Sequence, residues 1–150
     1  MKNKETYMDT VTAIFARVAS LRYPTAEEYE TRVRNDVNTR LFRLSPKIIV
    51  AKADAAVSTS KPIIADIYAV NATFSNLTER NREYIIQAVK AVYFLYEGDV
   101  NIPNKIIKGR ALAFAMSYPA DVSTVYRWLK EARALCAYYR GLTIQEPEVQ

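Results

Sequence analysis

Four side chains near the C-terminal end, Ser123, Tyr126, Arg127 and Lys130, have the types and spacing to meet a nucleic acid. They recur at i, i+3, i+4 and i+7, so a helix would carry them on one face. An arginine there can pair its two donors with a guanine edge, and a serine can meet a base edge or a phosphate. Tyr126 and Lys130 suit the sugar–phosphate backbone. Upstream, Lys105, Lys108 and Arg110 would neutralise phosphates, and Arg133 lies one turn beyond Lys130. Such contacts position a protein on a duplex without reading its sequence.

These groups need two short helices to present them. The run from Arg110 to Arg133 predicts a helix to about Met116, a turn over Ser117–Ala120 and a second helix from Val122 to about Arg140. That is a helix-turn-helix, which lays its second helix in the major groove. Small Ala115 stands ten residues before branched Val125, which suits a close helix crossing. Asp121 stands where the second helix must start and is expected to cap its free N–H groups. The opposite face (Val125, Trp128, Leu129, Ala132, Leu135, Cys136) is expected to be buried, with Cys136 as a small core residue. Pro119 occupies the place where many such turns carry glycine. Proline cannot take a positive φ, so a different, longer or more open turn is expected.

Charge follows the same segment. From Pro103 to Arg140 there are seven basic residues against two acidic ones, Asp121 and Glu131. This stretch therefore carries the whole +5 of the 150-residue chain. Basic charge gathered in one part of a chain is the footprint of a polyanion binder. Other chemistries are poorly supplied. Histidine is absent and Cys136 is alone, which removes Ser-His and Cys-His mechanisms, a disulfide within the chain and the usual zinc sites. No enzyme activity, cofactor or metal is expected. No apolar run is long enough to span a membrane, and the first residues lack a secretory signal, so a cytoplasmic protein is expected. The Asn71 and Asn76 sequons then carry no weight.

Half the residues are hydrophobic and only three are glycine, which predicts an all-α fold of five to seven helices. A first helix spans about Glu5 to Ser20. Thr25 to Glu28 reads as a capping box, opening a second helix to about Leu44. Its stripe of Tyr29, Val33, Val37, Leu41 and Leu44 should pack on a neighbouring helix or serve a partner protein. Ser45-Pro46 starts a third helix to Val57, and Ser58 to Pro62 reads as a linker. Pro62 to Phe74 fits a short helix, with Ile63 to Val70 open to a strand reading, and Asn71 to Asn76 looks turn-prone. Thr78 is expected to cap a helix ending near Tyr96, with Arg80 and Arg82 facing solvent rather than a phosphate, the alternative such arginines offer, and Gly98 as a stop. Gly141 suits a C-terminal cap. The organisation expected is a helical region over 1–77 of unassigned role, with a lobe or arm between Tyr23 and Phe74. A binding module over 78–142 and a loose tail over 143–150 follow.

The run from Thr124 to Arg133 resembles the recognition helix of phage and bacterial transcription regulators. The wider segment from Arg82 to Gly141 is similar in layout to small phage late-gene antitermination proteins of the Q type. The resemblance implies a DNA-binding transcription regulator. It also implies contact with host RNA polymerase and readthrough of terminators. It carries Ser123, Tyr126, Arg127 and Lys130 over as DNA-facing positions and is silent on the N-terminal half. The competing expectation is a helical assembly, packaging or scaffolding protein that holds nucleic acid without sequence preference.

Overall fold

The computed structural model describes residues 2–94 and 102–147, with side chains described from Tyr7 onward. Among them the protein is all-α. Its helices are α1 (Lys2–Ser20), α2 (Ala26–Arg40), α3 (Pro46–Thr59), α4 (Lys61–Glu79), α5 (Glu83–Val89), α6 (Asn104–Ser117) and α7 (Val122–Arg140). A π-helical turn, Lys90–Phe94, continues α5. The expected helix stop at Gly98 and the helix end near Tyr96 lie outside the described residues.

The early helices start on local side-chain chemistry. Thr25 accepts from the Glu28 N–H at 3.1 Å and its own N–H donates to the Glu28 carboxylate at 2.8 Å, so both halves of the box are present. Ser45 caps α3 through the Ile48 N–H, with Pro46 at the first helical position. The expected linker is far shorter than Ser58 to Pro62. Ser60 alone separates α3 from α4, because Pro62 sits in the first turn of α4, where a missing N–H costs nothing.

The turn expected over Asn71 to Asn76 is helix, and so is the segment open to a strand reading. Ile67, Val70, Thr73 and Leu77 repeat at helical spacing and are buried, and this burial outweighs the weak helix propensity of Asn and Ser. The polar groups find partners nearby. The Thr73 hydroxyl donates to the Ala69 carbonyl at 2.7 Å, and the Asn76 amide donates to the Tyr139 hydroxyl at 3.0 Å. The chain turns later, where Asn81 takes a positive φ of 59° and the Arg82 N–H returns to the Leu77 carbonyl at 2.8 Å. Thr78 therefore caps nothing, since it lies inside α4, and α5 opens at Arg82 without a side-chain cap.

One apolar core joins α1, α4, α5, the π-turn, α6 and α7, with α4 against α7 as its most extensive pairing. Phe15 stacks on Tyr93 (centroids 5.6 Å apart), and Phe74 and Phe94 complete an aromatic cluster around them. The wide π-turn lets Val92, Tyr93 and Phe94 all be buried in succession. The α2–α3 pair is a helical hairpin that meets this core at its base, through Ala26 and Tyr29 at the start of α2. No residue of α2 is buried, and in α3 only Ala53 is.

Candidate nucleic-acid interface

Helix α7 has two different halves. Val125, Leu129, Ala132, Leu135, Cys136 and Ala137 are buried. Its exposed residues are Ser123, Tyr126, Arg127 and Lys130, all in the first half. The stripe read from spacing is thus the outward face of the helix, backed by a side fixed in the core.

Several contacts hold that helix in place. Trp128 is half-buried, packed edge-on against Tyr84 (4.7 Å) and Tyr118 (5.8 Å). Arg82 makes a two-pronged ion pair with Glu131, and its Nε donates to the Tyr84 hydroxyl at 3.1 Å. That corrects the expectation that Arg82 faces solvent, whereas Arg80 is exposed as expected, 3.8 Å from the exposed Glu146. Pairing also takes one of the two acids of the 103–140 segment out of the field around the exposed face. At the far end Gly141 takes a φ of 85°, and the Leu142 N–H reaches the Ala137 carbonyl at 2.8 Å, closing the helix as expected.

The turn before α7 contains no left-handed residue, as Pro119 requires. Tyr118 is extended (φ −105°, ψ 110°) and its ring stacks on Phe114 at 5.3 Å. Asp121 does hold the N-cap position, but its side chain makes no capping hydrogen bond. The expected carboxylate cap is absent, and the helix opens on the backbone bond from the Val125 N–H to the Asp121 carbonyl.

The remaining cations separate into two groups. Lys105 and Lys108 are exposed on α6 beside Leu112 and Met116. Arg110 is half-buried and donates to the Val92 carbonyl at 3.5 Å, so part of its donor set is spent on the π-turn. Arg133 is half-buried too, with its Nη1 donating to the Tyr93 hydroxyl at 3.1 Å and its Nε buried. The outward set is therefore Lys105, Lys108, Ser123, Tyr126, Arg127 and Lys130. Arg110 and Arg133 brace the segment behind it. No short-range pattern marks an arginine that will point at a buried phenol forty residues away.

Asp66 was missed altogether. It is 4% exposed and accepts from two guanidinium groups, Arg17 on α1 and Arg140 on α7, the latter at 2.7 Å. A single acid within the apolar run Ile63-Ile64-Ala65-Asp66-Ile67 was the available signal. The three side chains edge an open cleft of about 430 Å³ with Asp9, Ile14 and Leu142. Both carboxylate oxygens are engaged, so Asp66 acts as a three-helix clamp that fixes the base of α7. Cys136 is fully buried beside it. Desolvation raises its thiol pKa to about 12, against the opposing effect of a hydrogen bond with Thr73. Burial likewise raises the Tyr93 phenol, despite the nearby Arg133 charge. Among the described residues no group of three or more His, Cys, Asp or Glu side chains is arranged to hold a metal ion.

The class these features define is an all-α protein with a fixed, cation-bearing helix end. Comparison with known proteins adds no narrower family: no family model, no curated protein and no solved structure matches the chain. Among the described residues no helix is long and apolar enough to cross a membrane.

Proposed function

We propose that the protein is a DNA-binding transcription regulator that lays the first turns of α7 in the major groove of duplex DNA. One observation carries this reading. The residues α7 exposes are Ser123, Tyr126, Arg127 and Lys130, while Val125, Leu129, Ala132, Leu135, Cys136 and Ala137 on its other side are held in the core. A reading helix needs such a rigid mount, because base recognition depends on side chains held at fixed distances from the groove floor. Arg127 is the candidate base reader, with Lys130, Lys105 and Lys108 on phosphates. The resemblance to late-gene antitermination proteins extends the proposal to a factor that also engages RNA polymerase.

Selection from a random-sequence duplex pool tests it. A regulator enriches one sequence, and Arg127→Ala abolishes that preference while retaining weak binding. Transcription in vitro through a terminator tests the antitermination version, which predicts readthrough only with the protein present. The exposed apolar residues at the end of the α2–α3 hairpin favour a second reading, an assembly or packaging component. In that case all duplexes bind alike, with a uniform loss of affinity as salt rises.

A further inference from the structure

We propose that the α2–α3 hairpin is a docking arm for a partner protein whose own surface is an apolar groove rimmed by acidic side chains. The inference goes beyond DNA binding and stands without it. The arm contributes little to the core: Ala53 is its one buried residue within the two helices, and Ala26 and Tyr29, at the start of α2, pack against the core from its base. Its stem is nevertheless fixed. Arg34 bridges to Asp54 at 2.8 Å across the two helices, and Arg32 donates to the Leu21 carbonyl at 3.1 Å.

The tip differs from the stem in two respects. Phe42 is 68% exposed and Val50 59%, and Leu44 and Ile48, between them in sequence, are exposed too. Grouped apolar side chains of this size on a monomer mark an interaction surface. The charges at the tip also have one sign. Between positions 41 and 53 stand Arg43, Lys47 and Lys52, with no acid. Stem charges pair within the arm, as Arg40 does with Asp36, whereas the Arg43 guanidinium lies over the Phe42 ring at 5.4 Å. The complementary surface is apolar at its centre and acidic at its rim, the usual division of a protein interface.

The arrangement favours a protein over the other polyanions. Phosphate backbones make no use of four large apolar side chains. Ile48 and Val50 are two residues apart, about 200° around a helix, so the apolar surface wraps the tip and fits a concave groove.

The test presents a random displayed-peptide library to the full chain, then measures binding of a synthetic copy of the most enriched peptide. Enriched peptides should combine Asp and Glu with large apolar residues. Binding should fall at least about tenfold in Phe42→Ser/Ile48→Ser and in Arg43→Glu/Lys47→Glu, as for anchors of an interface. It should be unchanged in Arg127→Ala, which separates this surface from α7. Thermal unfolding of both arm variants should match the parent, because the substituted side chains are exposed. The proposal is overturned if the enriched peptides lack acidic residues or bind the arm variants normally. It is also overturned if the arm variants lose affinity for a short DNA duplex or for phosphatidylglycerol vesicles instead.

Discussion

Removing the Asp66 carboxylate should loosen the helix that carries the exposed stripe, and its cost follows from the clamp. Asp66 is 4% exposed and holds Arg17 and Arg140 at once. A hydrogen bond to a charged group contributes about 1.5–3 kcal/mol, so two lost bonds set an upper range of about 3–6 kcal/mol. Both arginines remain partly solvated, at 37% and 28% side-chain exposure, and recover water when released. That screening cuts the expected loss in Asp66→Ala to about 2–3 kcal/mol. For a domain of this size the midpoint should fall by about 4–12 °C. Asp66→Asn should lose nearly as much, because its amide sets a donor against a guanidinium. Thermal unfolding followed by circular dichroism reads both. Replacing all three side chains with apolar residues of similar volume should restore most of the midpoint, since no charge is then left unpaired. A midpoint within about 2 °C of the parent in Asp66→Ala would refute the clamp.

Two further outcomes are expected. With Lys105, Lys108 and Lys130 on phosphates, log K should fall with log salt at a slope of about −2.7 per bound copy. The slope should become shallower by about 1.8 in Lys105→Gln/Lys108→Gln, measured by fluorescence anisotropy on a duplex. Arg133→Gln should leave the slope unchanged, because that guanidinium is turned to Tyr93. Cys136 should resist thiol reagents in the native protein at mildly alkaline pH and react once unfolded. Its thiol keeps its proton to about 12 when folded, against an ordinary value of 9.0, so unfolding releases a proton in that window. Stability should therefore be undiminished by this group below pH 9 and fall as pH rises toward 12. Cys136→Ala should flatten the fall, as read by denaturant titrations across pH.

The sequence was most legible where chemistry is local. Thr25 with Glu28, Ser45 with Pro46, and Gly141 each satisfy helix-end groups within a few residues, and each stands where spacing put it. The two-faced pattern of α7 was equally clear, because burial and exposure alternate at helical period along a single element. Long-range partners were not legible. Asn71 to Asn76 looked like a turn because the Pro24 carbonyl and the Tyr139 hydroxyl, which engage Asn71 and Asn76, lie far off in sequence. Arg82 finds Glu131 and Arg133 finds Tyr93 over forty residues or more, so their charge was read as surface charge. Asp121 shows a local rule yielding: the residue is at the cap, yet its carboxylate takes no backbone donor.

Chemical-shift mapping of the isotope-labelled protein on addition of a selected duplex tests DNA recognition by α7 most directly. The account predicts the largest changes at Ser123, Tyr126, Arg127 and Lys130, with smaller ones at Lys105 and Lys108 and none at Phe42 or Ile48. Changes centred on any other surface, with the α7 resonances unmoved, would contradict it.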